Sequence, residues 1–229
     1  MRLKSGCCFE KMKKLKLIGR NYFLVTHYVI KHFFIILFKN YDASINGINK
    51  KLDKYLNFRD GFFVELGGND GLSQSNTFYL EKKLGWRGIL IEPSIKKLNL
   101  AKKFRHKSTL VNCFCSNKTT EAITLFDNDL ESSVSNKQGN IKISAPEKKI
   151  TDILIENKAP KKINFFSLDV EGHEYEVIEG LDLNLFFVEV FLIEIRSKTL
   201  LNKISYLLGA KGYKLIKKIT IHDYVFMKQ

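Results

Sequence analysis

The stretch FFVELGGNDG, from Phe62 to Gly71, decides how the rest of this chain is read. Phe62, Phe63, Val64 and Leu66 form an apolar run carrying one acid, Glu65. Gly67, Gly68 and Gly71 then fall within five positions, around Asn69 and Asp70. A strand buried on both faces of a parallel sheet reads as a short continuous apolar run. Glycines at its end let the backbone turn sharply and approach a bound molecule closely. A helix starting after such a turn offers free N–H groups. In open α/β folds, the carboxyl end of the first strand is where a nucleotide-like ligand sits.

Outward from that stretch, apolar runs and helical periodicities alternate. The pattern predicts strands at Phe62–Leu66, Gly88–Ile91, Ser108–Phe114, Asn164–Leu168 and Val188–Ile195. Helices are predicted over roughly 41–56, 73–84, 95–104, 151–157 and 200–208, with a further one running to Gly180. The chain closes on two strands, Tyr213–Thr220 and Asp223–Met227, with no helix between them, which predicts an antiparallel hairpin at a sheet edge. Residues 127–149 are polar and read as a loop or lid. The expected fold is α/β: a seven-stranded, mostly parallel sheet with helices on both faces and an antiparallel carboxyl-terminal hairpin.

The chain has 229 residues, enough for one domain and an extension. Its hydrophobic content of 45% excludes a disordered chain. The net charge of +14 favours encounter with anions such as nucleic acid, acidic lipid or phosphorylated sugar. The lysines are spread along the whole chain, so charge alone does not assign a nucleic-acid partner. The four cysteines form close pairs, Cys7–Cys8 and Cys113–Cys115, without the two-residue spacer of a metal or redox motif. Reduced thiols in a cytoplasmic setting are expected.

Residues 1–40 differ from the rest. A basic segment leads into an apolar stretch, Tyr22 to Phe38, interrupted by His27, Lys31 and His32. A central lysine is costly inside a bilayer. An apolar face with lysine anchors fits a helix lying in a membrane interface, and fits equally a helix packed on the chain's own domain. The catalytic domain is expected over 41–229.

Glu92 ends the second strand, some twenty residues past the glycines, where an acid accepts hydrogen bonds from ribose hydroxyls. Nicotinamide and S-adenosylmethionine enzymes both use such an acid. The glycine spacing separates them, because GGNDG after a strand acid is not the G-x-G-x-x-G of a pyrophosphate loop. A sulfonium cofactor, whose cationic groups favour Glu65, Asp70 and Asp169, fits better.

Several blocks in order now resemble one family. GFFVELGGNDG, the segment Gln74–Pro93, FFSLDVEGHEYEVIEGLD around Asp169, FLIEIR and the terminal HDYVF together resemble the FkbM-type S-adenosylmethionine-dependent methyltransferases. The family implies the class I, Rossmann-like methyltransferase fold. It implies that Glu65, Gly67, Gly68, Asn69 and Asp70 line the methionine side of S-adenosylmethionine, and that Ser75, Asn76 and Thr77 contact or cover it. It places Glu92 on the ribose, and Cys115 with Ser116 near the adenine. Gly68 stands where alanine is common in the family.

Asp169, Glu171, His173 and Glu174 follow the fourth strand, and charges at a sheet's end need partners. The simplest chemistry is attack of an acceptor hydroxyl on a methyl carbon. His173 is the expected general base, Asp169 orients the cofactor's amino group or the hydroxyl, and Glu171 holds His173. Glu194 and Arg196, at the end of the fifth strand, either line the acceptor pocket or pair with each other. Two carboxylates holding Mg²⁺ are ranked below the histidine mechanism. The expected acceptor is a sugar, glycan or other small molecule. An RNA 2′-O-methyltransferase and a membrane-tethered non-catalytic scaffold are the alternatives.

Overall fold

The computed structural model describes residues 43–127 and 141–229. The expected interfacial helix, Cys7 and Cys8 lie outside the described residues. No helix among the described residues is long and apolar enough to cross a membrane.

The strands are β1 (Phe62–Leu66), β2 (Arg87–Ile91), β3 (Ser108–Val111), β4 (Phe114–Ser116), β5 (Thr120–Asp127), β6 (Ile141–Lys149), β7 (Lys162–Leu168), β8 (Phe187–Glu194), β9 (Tyr213–Lys218) and β10 (Asp223–Lys228). The α-helices are α1 (Ile48–Leu56), α2 (Phe78–Leu84), α3 (Ile95–Ala101), α4 (Ile150–Glu156), α5 (Glu174–Glu179) and α6 (Lys198–Gly209). A seven-stranded sheet runs in the order β3-β2-β1-β7-β8-β10-β9. Its strands are parallel except β10, which is antiparallel to both β8 and β9. The order reverses at β1, which pairs with β2 on one side and β7 on the other. That reversal leaves a crevice at the carboxyl ends of the central strands.

The central strands are apolar on both faces because both faces are covered. Val64 and Leu66 of β1 join one core with Ile89, Ile91, Phe166, Leu168 and Phe191, against α4, α5 and α6. Phe63 joins the other with Leu52, Leu56, Phe165 and Val190, against α1 and α2. Trp86 closes this second core, fully buried, with its indole N–H donating to the Phe58 carbonyl at 2.6 Å.

Three elements differ from the sequence expectation. The strand predicted over 108–114 is two strands in two sheets, because β4 pairs with β6 rather than continuing β3. The break falls at Asn112, whose side-chain amide donates to the Glu92 and Pro93 carbonyls at 2.9 and 2.7 Å. The polar stretch expected as a loop contains β6, the middle of a three-stranded sheet ordered β4-β6-β5; residues 128–140 lie outside the described residues. Finally, α2 begins at Phe78, not near residue 73, because residues 72–77 are drawn into hydrogen bonds with Asp70 and Glu65.

Candidate functional site

A cavity of about 630 Å³ opens at the carboxyl ends of β1, β2 and β7. That volume is in the range of small-molecule and cofactor sites. Its floor is the glycine loop. Gly67 has φ +77°, and a Cβ there would lie 1.9 Å from the Asp169 carbonyl oxygen. Gly67 and Gly68 both donate their N–H to the Ile91 carbonyl at 3.1 Å, which folds the loop back over the end of β2. At Gly68 a Cβ would lie 2.3 Å from Leu90 Cγ, so glycine fits this Leu90 rotamer where alanine would displace it.

Beyond the glycines, Asn69 adopts φ +49° and donates its N–H to Glu92 Oε2 at 3.0 Å. The Ser94 N–H donates to Oε1 at 2.8 Å. Glu92, buried at the end of β2, is thereby fixed on the cavity wall beside the loop. Asp70 accepts from the Leu72 and Ser73 N–H groups at 2.9 and 2.6 Å, so one of its carboxylate oxygens closes the turn itself.

Glu65 organises the next segment. Its carboxylate accepts from the Asn76 N–H at 2.8 Å, the Ser75 hydroxyl at 3.0 Å and the Thr77 hydroxyl at 2.5 Å. Arg105 Nη1 stands 3.4 Å from its Oε2. The Asn76 side-chain amide donates to Ser167 Oγ at 3.0 Å, while its Oδ1 is buried without a partner among the described residues. Since Asn76 lines the cavity, that oxygen is an acceptor awaiting a donor.

The turn after β7 is acidic. Burial, then the charge of Glu194 and a hydrogen bond with it, push the Asp169 carboxyl up to about 8, with Glu171 and Glu174 adding to the effect. Asp169 Oδ1 is buried and unpartnered among the described residues. Glu174 caps the connecting turn, accepting from the Val170 and Gly172 N–H groups at 3.2 and 3.0 Å. Glu171 takes φ +54° and pairs with Arg196 at 2.6 Å; Arg196 Nε reaches Glu194 Oε2 at 3.0 Å. One oxygen each from Asp169, Glu174 and Glu194 lies within 4.8 Å of the others, close enough to hold one divalent cation. His173 precedes α5, is exposed and lines the cavity.

Of the residues singled out from the sequence, Glu65, Gly67, Asn69, Asn76, Glu92, Cys115, Asp169, Glu171, His173 and Glu194 lie on the cavity wall. Gly68, Asp70, Ser75, Thr77, Ser116 and Arg196 do not line it. Ser75 and Thr77 turn their hydroxyls to Glu65, and Ser116 exchanges hydrogen bonds with the Lys118 main chain. Cys113 and Cys115 are core residues whose thiols burial pushes up, that of Cys113 to about 12. The sequence reading missed the far wall, made by Ile123, Ile143 and Glu147 of the small sheet and by the β9–β10 turn, Thr220–Asp223. It missed Arg105 as well.

The family model for the methyltransferase FkbM domain matches residues 65–215. No curated protein matches the sequence. Among solved structures, a methyltransferase FkbM from Methylobacillus flagellatus KT superposes with a TM-score of 0.52 at 18% identity. The match covers 73% of this chain and 43% of that one, so the chain spans less than half of its length. The METTL16 methyltransferase domain (TM-score 0.49, 12% identity, 80% and 66% coverage) is a more distant likeness. So is a TehB-like S-adenosylmethionine-dependent methyltransferase from Corynebacterium glutamicum (0.46, 10%, 93% and 100%).

Proposed function

Because the chain belongs to the FkbM methyltransferase family, an S-adenosylmethionine-dependent class, we propose that it methylates a hydroxyl of a sugar, glycan or other small polar acceptor, with His173 as general base. One observation carries the reading. A single cavity is lined by Glu92, the glycine loop and the Asp169–His173–Glu194 group.

The cavity's residues fit the cofactor. Glu92 suits ribose hydroxyls, and glycine at Gly67 lets the loop pack directly against the Asp169 main chain on the cavity floor. The orphaned oxygens of Asn76 and Asp169 suit the protons of an amino group. Bound there, S-adenosylmethionine supplies a methyl group on a sulfonium sulfur, activated for in-line displacement.

The protein's own part is to hold the acceptor and take a proton. An aliphatic hydroxyl is a weak nucleophile near neutral pH, and an imidazole is the side chain suited to accept its proton as the new O–C bond forms. His173 takes that proton at a ring nitrogen, while Asp169 and Glu194 accept hydrogen bonds from neighbouring hydroxyls. Juxtaposing the two reactants supplies much of the rate.

Charge supports a neutral acceptor. The chain carries +14, yet this part of the cavity presents Glu171, Glu194 and Asp223, and Arg196 is engaged by Glu171 and Glu194. A phosphodiester would meet like charge there, whereas a polyol finds acceptors. Mass spectrometry on glycans and cell extracts supplied with isotope-labelled S-adenosylmethionine tests the proposal. The expected result is one labelled methyl on a neutral hydroxyl. Labelling confined to RNA, or to amines, would overturn it.

A further inference from the structure

We propose that Arg105, which lies outside the cavity, is a positioning residue that shapes the cofactor-facing loop 71–77 from behind; the inference rests on the cavity being the S-adenosylmethionine site. The loop needs such a support. It forms turns, with Gln74 at φ +64° and one isolated bridge from Gln74 to Ser44, and contains no strand or helical turn of its own before Thr77. Nevertheless Ser73, Gln74 and Asn76 form part of the cavity wall.

The Arg105 side chain is fully buried and its guanidinium divides its donors between two tasks. Nε donates to Glu81 Oε2 at 2.8 Å, and Glu81 is itself held by the Ser108 hydroxyl and the Lys107 N–H at 2.5 and 3.1 Å. That half ties Arg105 to α2 and the start of β3. The other half grips the loop: Nη1 donates to the Gly71 carbonyl at 3.1 Å and Ser75 Oγ at 3.0 Å, and Nη2 to Thr77 Oγ1 at 2.5 Å. Ser75 and Thr77 pass the contact to Glu65, which lines the cavity.

Two further observations agree. A Cβ on Gly71, which has φ +74°, would lie 2.8 Å from Arg105 Cγ, so the glycine leaves room for the arginine stem. The guanidinium carbon also sits 5.1 Å from the centre of the Phe63 ring, on β1 beneath the loop. A planar fork makes these contacts at fixed angles; a lysine ammonium cannot reproduce them together.

The test compares Arg105→Lys, Thr77→Val and Ser108→Ala with the parent protein. Calorimetry gives S-adenosylmethionine affinity, and amide hydrogen exchange of residues 71–77 is followed without cofactor. Arg105→Lys and Thr77→Val should each weaken affinity about tenfold or more and speed exchange in the loop. Ser108→Ala removes a bond on the Glu81 side only, so it should lower the melting temperature and leave affinity and loop exchange unchanged. Parental affinity and exchange in Thr77→Val would overturn the proposal, as would an equal loss in Ser108→Ala. If Arg105→Lys does not fold, Thr77→Val decides. If the parent protein binds no S-adenosylmethionine, the functional reading fails, and loop exchange still decides whether Arg105 holds the segment.

Discussion

Gly67 and Asp169 meet main chain to main chain at the floor of the cavity, where a Cβ on Gly67 would stand 1.9 Å from the Asp169 carbonyl oxygen. The Asp169 N–H donates to the Leu66 carbonyl at 3.3 Å, so β1 and β7 remain joined beyond their last paired residues. The glycine loop and the acidic turn are thus two sides of one backbone contact. Neither can shift without the other.

Gly67→Ala should therefore be severe. It combines a backbone clash with a positive φ and should cost about 3 kcal/mol or more. Gly172→Ala is the matched control: φ there is +107°, but nothing lies within 4 Å of its Cβ position. It should cost about 1–3 kcal/mol through backbone strain alone. Thermal or denaturant unfolding of the two variants checks the order.

Asp169 sets a pH dependence. Its folded pKa, about 8, lies above the ordinary carboxylate value, chiefly because of burial and Glu194. The folded protein therefore binds this proton more tightly than the unfolded chain does. Its contribution to stability is full below the unfolded pKa and declines as pH rises towards 8. Asp169→Asn, which mimics the protonated form, should raise the melting temperature of the cofactor-free protein more at pH 8 than at pH 5. An equal effect at both would remove Asp169 as the titrating group.

Glu92 ties the glycine loop to the end of β2, since its carboxylate holds the Asn69 and Ser94 N–H groups and lines the cavity. Glu92→Ala removes the proposed ribose acceptor and releases the loop. Affinity for S-adenosylmethionine should fall by about tenfold or more, measured by calorimetry. Unchanged affinity would take Glu92 out of the site.

His173 lies on the wall, and among the described residues no hydrogen bond reaches its ring. His173→Ala should lower turnover by about 100-fold or more while cofactor affinity stays near that of the parent. A parallel fall in cofactor affinity would make the residue structural instead.

The order of strands was legible because each central strand is covered on both faces, and its apolar run survives in the sequence without reference to any partner. The same holds for the glycines: Gly67 announces a sharp turn whatever surrounds it. β6 was not legible. Its inward positions, Ile143, Ala145 and Glu147, give almost no apolar signal in the sequence ISAPE, Pro146 interrupts the run, and one of the three is an acid paired with Lys118 and Thr120. Arg105 sits in the basic run KKFRHK and gives no sign of burial, because Glu81, Thr77 and Glu65 lie 24 to 40 residues away in sequence.

By itself, then, the sequence determined the class of fold, the family and the end of the sheet at which the cavity opens, all of which rest on local patterns. Only the tertiary structure decided which side chains face the cavity. Ser75, Asn76 and Thr77 are neighbours of similar polarity, yet Asn76 lines the wall and the other two turn back to Glu65 and Arg105. A buried carboxylate and guanidinium must find their hydrogen bonds wherever the fold brings donors and acceptors together, and that long-range demand outweighs local sequence in aiming each side chain.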